Sequence, residues 1–426
     1  GVNYNKISLE EAIKGNDILV PLDRTTSAGI PWIFEKTKTK GKTQWLGQNE
    51  NWIIDNEALC KKINDFEELV LKDSVIPPIF FLDQTKDERR PIDKVLKGKT
   101  RMFAIGPMHF SILFRQYFSW FDSHCKQHRI YNGSLVGIDP HSFEWTKVFN
   151  HMSEINDPKT DCFLAGDYSN FDGSLNRSIL WIIFDSIIEI GKIDKNSSDY
   201  KVMLALWTCL TDSLHIHKQH IYQLNHSQPS GNPFTTIINT LYNLGILDFC
   251  IFFILRNNDK LVDNLDAHYH AYAYGDDNLM IFSDYLKDSI DPLDITHLLS
   301  LMGHTYTTDL KDDSQQAYRP IDEVSILKRK FDFDYSLFYC FAPLELDTVL
   351  EMLNWDKERN YGTKLTQLFV NGDTMQRELL HHHELYYDLF WLDKTLPALK
   401  ELGYQDQRVL PYPILRNLHA STMKNA

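Results

Sequence analysis

The chain is predicted to be an α+β protein, and three stretches predict it. Residues 271–282, AYAYGDDNLMIF, set Gly275-Asp276-Asp277-Asn278 between a small, aromatic run and an apolar run. This reads as a β-hairpin with two adjacent carboxylates at its tip. Residues 162–165, CFLA, form a second short buried strand that ends near Asp167 and hands over to a helix. From Pro343 onward the pattern turns helical and aromatic, so a separate α-helical unit closes the chain.

The 426 residues are enough for about three domains. Hydrophobic and charged fractions of 43% and 24% are those of an ordinary globular chain. A formal charge of −14 excludes a general nucleic-acid coat held by a basic surface, though it leaves room for a local basic groove. Six cysteines, Cys60, Cys125, Cys162, Cys209, Cys250 and Cys340, show no zinc spacing, and no secretory leader pattern opens the chain. Reduced thiols in a cytosolic setting are expected. The apolar runs 179–190 and 241–255 contain Asp185, Glu189 and Asp248, and are expected to be buried helices too short and too polar to span a bilayer.

In chain order, residues 26–32, TSAGIPW, make a tight small-residue turn closed by an aromatic, and 36–42 follow as a basic, turn-rich loop. Residues 86–101, KDERRPIDKVLKGKTR, hold seven basic residues against three acidic ones in a chain that is acidic overall. Pro91 and Gly98 interrupt any long helix, so Lys86, Arg90, Lys94 and Arg101 are expected on an extended basic arm able to wrap phosphates. A helix over 110–121, a turn at 136–140 and a helix over 141–152 lead to the 162–165 strand. Asp172 lies five residues after Asp167 in GDYSNFDGS, and Ser174 and Asn176 offer caps for the helix that follows.

Residues 213–224 alternate, and the loop QPSGNP leads into FTTIIN and a long apolar helix, on which Thr235 and Asn239 share one face. After the acidic hairpin, a helix over 295–302 ends at Gly303, with Lys311 on the loop beyond. SILKRKF, 325–331, is expected as a basic turn between two short strands, the second over 337–341. Helices are expected over 344–353 and 376–392. Consecutive helix residues diverge by about 100°, so His381, His382 and His383 cannot chelate one ion. His215 and His217 share a strand face and are the alternative metal pair.

Carboxylates within about 4 Å repel by roughly 4 kcal/mol per pair at an effective dielectric near 20, and a divalent cation relieves this. Oxygen donors without a thiolate point to Mg²⁺ or Mn²⁺, ions that commonly serve phosphoryl chemistry. A solvated turn is the other reading of Gly-Asp-Asp taken alone.

Taken in order, these segments resemble the motif series of the picornavirus-like viral RNA-dependent RNA polymerases, in flavour most similar to the iflavirus group of insect viruses. TSAGIPW resembles motif G, KDERRPIDKVLKGKTR motif F, GDYSNFDGS motif A, and SGNPFTTIIN motif B. YGDD resembles motif C, the Lys311 loop motif D, and ILKRKF motif E. The resemblance implies a right-hand polymerase, its palm an antiparallel sheet flanked by helices. Fingers would be 1–125 and 179–229, palm 126–178 and 230–339, and an α-helical thumb 340–426. It implies that Asp167, Asp276 and Asp277 hold two Mg²⁺ (or Mn²⁺) ions and that Lys311 is the general acid for pyrophosphate. Asp172, Ser230, Thr235 and Asn239 would sense the ribose 2′-hydroxyl, and Lys86, Arg90, Lys94 and Arg101 would bind the triphosphate. Thr26, Ser27, Lys328 and Arg329 would contact RNA or primer.

The partners implied are an RNA template and primer, NTPs and a genome-linked protein primer, in peripheral replication complexes of the host cytoplasm. Only some 25 residues precede TSAGIPW, fewer than the family usually has, so either a truncated chain or a reduced fingertip bridge is expected. An inactive RNA-binding or scaffolding relative and a reverse transcriptase are the alternatives. Asp172 with Asn239 disfavours the second, which would place a bulky residue against the 2′-hydroxyl.

Overall fold

The computed structural model describes residues 3–88, 90, 92–310, 315–355, 363–405 and 411–424. Ten strands are described: β1 (Phe80–Thr85), β2 (Met102–Ile105), β3 (Phe163–Ser169), β4 (Leu214–His217), β5 (His220–Gln223), β6 (Tyr269–Tyr274), β7 (Asp277–Phe282), β8 (Thr305–Thr308), β9 (Asp332–Asp334) and β10 (Tyr339–Phe341). They form a four-stranded sheet β2-β1-β4-β5, a four-stranded antiparallel sheet β6-β7-β3-β8 and the pair β10-β9.

Within this sheet β6, β7 and the first half of β3 are buried on both faces, which explains why AYAY and LMIF run apolar without polar alternation, whereas the edge strand β8 alternates exposed and buried. Met280 and Phe282 of β7, with Leu164 of β3, pack into the large core that includes the helices Met108–Gln127 and Thr235–Asn257. Leu279 and Ile281, with Phe163 and Ala165, face the opposite way, against Trp145, Val148 and Met152 of the helix Glu144–Ser153. The hairpin turn is tighter than the four residues expected. Tyr274 pairs with Asp277, so only Gly275 and Asp276 form the loop, with Gly275 at φ 64° as a Gly-first two-residue turn requires.

The basic arm joins two paired strands that the sequence did not suggest. Thr85 of β1 faces Met102 of β2, the Lys86 N–H donates to the Arg101 carbonyl at 2.8 Å, and between them runs a short helix, Ile92–Leu96. Under the arm, Asp83 of β1 receives His215 Nδ1 at 2.9 Å and the Tyr222 hydroxyl, while His215 Nε2 lies 2.9 Å from Ser213 Oγ. His215 is thus a buried brace between β4, β5 and β1, and its ring nitrogens are already engaged.

The helix Thr235–Asn257 is longer than expected. Its 23 residues are long and apolar enough to cross a membrane by length and composition, yet 67% of its apolar window is buried inside the fold. A helix apolar nearly all round is what a core position requires. The basic segment 325–330 lies in chain order between β8 and β9, so β9 intervenes before the strand expected over 337–341, and a bridge between Ile326 and Arg329 closes the segment. The expected single helix over 376–392 is broken, because Lys364–Leu379 ends before the histidine run and Glu384–Tyr386 starts after it.

That break lets the C-terminal helices dock on the rest. Arg329 donates to both Glu378 oxygens, at 2.9 and 2.8 Å, and to the Ala342 carbonyl at 2.7 Å. His381 Nδ1 accepts the Ala342 N–H, so the neutral ring carries its proton on Nε2, which faces His141 Nδ1 at 2.9 Å. His141 Nε2 in turn reaches Glu378 at 3.1 Å. His141, Glu378 and His381 lie close enough to hold an ion, but this bond direction leaves His381 no lone pair for one.

Candidate active site

β3 and β7 run antiparallel, with Gly166 opposite Asn278 as the last pair. Asp167 and Asp277 are the next residues along, on strands about 4.8 Å apart, and Asp276 sits at the turn. Asp167 and Asp276 line one cavity of about 1070 Å³. Carboxylates distant in sequence therefore meet at one sheet end. Asp277 starts β7 and does not line the cavity among the described residues.

A second wall comes from the basic arm. Lys86, Arg90, Lys99 and Arg101 line the cavity, whereas Lys94 stands exposed on the helix Ile92–Leu96 outside the lining. Glu88 holds Arg101 through paired hydrogen bonds, one of them 2.8 Å. That bond first, and the negative charges of Asp276 and Asp172 after it, raise the Arg101 guanidinium above its usual value. Arg101 therefore feels both acidic groups across the cavity.

The third wall is the loop before the helix Thr235–Asn257 and that helix's first turn. Asn239 Nδ2 donates to Asp172 Oδ1 at 2.5 Å, and its Oδ1 is buried with no partner among the described residues. Asn232 Nδ2, in the same lining, is likewise an unmet donor. Each such group costs about 1–3 kcal/mol unless water or a ligand in the cavity satisfies it. Ser230 and Thr235 line the cavity, and their hydroxyl oxygens also bond within the fold. Ser230 Oγ accepts the Ala104 N–H at 3.1 Å, and Thr235 Oγ1 donates to the Asn232 carbonyl at 2.8 Å. Gly231 makes this docking possible, because a Cβ there would lie 1.9 Å from the Ala104 carbonyl oxygen.

The remaining sequence-derived residues lie elsewhere. The Thr26 hydroxyl donates to the Asp23 carbonyl at 3.0 Å, and Ser27 Oγ accepts the Gly29 N–H at 3.3 Å. Lys42, at the end of the basic loop 36–42, is buried beneath this turn, with Nζ 3.0 Å from the Asp23 carbonyl. Burial pushes its ammonium down to about 8. Lys328 is exposed, whereas Arg329 is buried in its pair with Glu378 and presents no guanidinium to RNA. Lys311 lies outside the described residues. Lys99 and Asn232 were not singled out in the sequence, although Lys99 lies within the basic stretch and Asn232 directly follows Ser230-Gly231.

A family model described as viral RNA-dependent RNA polymerase matches residues 3–389. The chain belongs to that family. It is 35% identical over 402 residues to the replicase polyprotein of Drosophila C virus, covering 90% of this chain and 22% of the polyprotein. It is 36% identical over 401 residues to the replicase polyprotein of Acute bee paralysis virus, covering 90% and 20%. The chain thus spans about a fifth of the length of these relatives. Among solved structures it is similar to a Sicinivirus 3Dpol RNA dependent RNA polymerase, with a TM-score of 0.77 and 22% identity over 99% of this chain and 82% of that one. The fold is the α+β right-hand polymerase fold that the family resemblance implied.

The donor set fits the divalent ion that this family generally uses. Asp167 and Asp276 offer hard carboxylate oxygens, and neither cysteine nor histidine lines the cavity among the described residues.

Proposed function

We propose that this chain performs RNA-templated RNA synthesis, joining NTPs to the 3′-oxygen of an RNA or protein-linked primer and releasing pyrophosphate in viral genome replication. The observation that carries this reading is a single cavity with three chemically distinct walls: paired carboxylates, a basic arm and an amide–carboxylate pair with an open acceptor. Asp167 and Asp276, with Asp277 adjacent, would hold two Mg²⁺ or Mn²⁺ ions. When bound, such a pair stabilises the attacking and leaving oxygens of an in-line displacement.

The chain's own residues do the rest. Lys86, Arg90 and Arg101 neutralise the triphosphate and keep its α-phosphate in line with the primer oxygen. The primer 3′-hydroxyl gives its proton to solvent as its oxygen bonds that phosphorus, the bond from the phosphorus to the bridging oxygen breaks, and Lys311 would supply the proton to pyrophosphate. Asn239 Oδ1 accepts the ribose 2′-hydroxyl while Asp172 fixes the amide, and Ser230 and Thr235 hold the loop behind them. A sugar lacking that hydroxyl leaves the buried acceptor unmet. Lys94 gives the arm added positive charge, and Thr26, Ser27 and Lys328 are the RNA-facing polar groups.

Two segments build each of the first two parts of the hand. Fingers are 1–125 and 179–229, supported by the β2-β1-β4-β5 sheet, which joins strands from both segments. The palm is 126–178 and 230–339, supported by β6-β7-β3-β8, and the thumb is 340–426, supported by its own apolar cluster around Met375 and Trp391. The partners are an RNA template and primer, NTPs and a genome-linked protein primer, at replication complexes in the host cytoplasm.

Primer extension on a homopolymeric RNA template, with and without EDTA, tests the activity. Extension lost on chelation and restored by Mg²⁺ is expected. Asp276→Ala is expected to abolish incorporation with template affinity unchanged, since the lost group binds cations and not RNA. Wild-type extension rates in that variant would refute the site.

A further inference from the structure

The acidic turn is closed by the β6–β7 ladder at Tyr274–Asp277 but projects past the β3–β7 ladder. The last β3–β7 pair is Gly166 with Asn278, so Asp167 and Asp276 both lie beyond it. Asp167 pairs onward with Thr307 of β8, so no β3–β7 pair joins it to the turn at this level, and side chains that bridge the two help keep the carboxylates at a fixed separation against their mutual repulsion.

Asn243 is placed to do this. It lies one turn beyond Asn239 on the helix Thr235–Asn257 and is fully buried. Its Nδ2 donates to the Gly275 carbonyl at 3.0 Å and the Asp276 carbonyl at 3.2 Å, with the Asp277 carbonyl at 3.5 Å. Its Oδ1 accepts the Tyr168 hydroxyl at 3.1 Å, and Tyr168 directly follows Asp167 on β3. Thr240, on the same helix, accepts the Gly275 N–H at 2.8 Å. Asn278 makes a lesser contact, Nδ2 to the Asp276 carbonyl at 3.3 Å. Buried amides are fully bonded only in one orientation, so this bond pattern fixes the turn as well as the side chain.

We propose that Asn243 is a positioning residue that ties the Gly275–Asp276 turn to the strand bearing Asp167, setting the carboxylate separation on which divalent-ion affinity depends. The proposal rests on the reading of Asp167 and Asp276 as ion ligands. It also makes one helix serve two tasks: Asn239 faces the sugar, and Asn243 grips the acidic turn one helical turn deeper. The two tasks separate by mutation. Loss of Asn243 weakens ion binding and turnover and leaves the sugar contact of Asn239 in place.

The test is Mn²⁺ titration of the nucleotide-free protein, followed by electron paramagnetic resonance, on wild type, Asn243→Leu and Tyr168→Phe, with primer extension alongside. Asn243→Leu keeps the branched side-chain skeleton and removes both the donor and the acceptor. Expected results are about a tenfold rise in the Mn²⁺ dissociation constant for Asn243→Leu, a smaller rise for Tyr168→Phe, and a matching rise in the Mg²⁺ needed for half-maximal rate. The ratio of rNTP to dNTP incorporation should stay within about twofold of wild type. Unchanged Mn²⁺ affinity in a folded Asn243→Leu overturns the proposal. If that variant does not fold, unchanged affinity in Tyr168→Phe overturns it. Wild-type Mn²⁺ affinity in Asp276→Ala would instead remove the ligand reading itself, so the two failures are told apart.

Discussion

Asn239 and Asp172 form a short hydrogen bond at 2.5 Å, and the amide oxygen left over is a buried acceptor at the cavity. If that oxygen takes a 2′-hydroxyl, removing it forfeits one hydrogen bond of about 1–1.5 kcal/mol, roughly tenfold in discrimination. Asp172→Ala and Asn239→Ala are both expected to lower rNTP over dNTP preference by about that factor, measured as the ratio of kcat/KM values. Unchanged selectivity in both would remove them from sugar recognition. The sequence brought Asp172 and Asn239 into view because polar residues stand beside apolar runs at helix starts. It could not disclose that Ser230 Oγ accepts the Ala104 N–H or that the Thr235 hydroxyl donates to the Asn232 carbonyl. Those partners are set by how the loop folds back, not by spacing along the chain. Arg329 is the clearest such case: beside Lys328 it looks like part of a basic surface, yet its guanidinium is buried against Glu378.

At the scale of elements, the loop 228–233 and β2 are one unit. Gly231 lies against the Ala104 carbonyl, where a methyl group would sit at 1.9 Å, and backbone cannot yield as a flexible side chain can. Gly231→Ala is expected to push the loop off β2 by an ångström or so and cut kcat/KM by about 10²-fold. Overall fold, followed by circular dichroism, should be kept. Activity within twofold of wild type would show that the loop's position is not critical. The strands β1 and β2 were not legible beforehand, because each is a short run on either side of the charged segment 86–101, with its partner strand across that segment. Only the pairing of Thr85 with Met102 reveals the arm as the end of a sheet, braced from below by Asp83 and His215.

Across the whole molecule, the C-terminal helices are joined to the sheet region by Arg329, Glu378, His141 and His381. Burial by itself would raise the Glu378 carboxyl, but hydrogen bonds from His141 and Arg329 outweigh it and hold it down at about 2. Since the folded value lies below the unfolded one, this group's contribution is full above the ordinary glutamate range near pH 4.5. It is lost as pH falls toward 2. Denaturant unfolding from pH 7 to 2.5 is expected to show a loss on the order of 2–3 kcal/mol in that window, absent in Glu378→Gln. A slope identical in both proteins would assign the acid sensitivity to other groups. Arg329→Ala should destabilise by about 3–5 kcal/mol at pH 7, because it strands a buried carboxylate.

What the sequence by itself determined was chemistry and order: acidic strand ends, a basic arm, a polar helix start and a helical C-terminal part, each carried by residues adjacent in the chain. Local pattern is enough for these, because turn residues, caps and apolar periodicity act over a few positions. The tertiary structure alone decided which of those residues share a cavity, which are spent in bonds within the fold, and how Asn243 joins three segments. Those outcomes depend on strand register and on contacts between residues tens to hundreds of positions apart, where a shift of one residue turns a side chain to the other face.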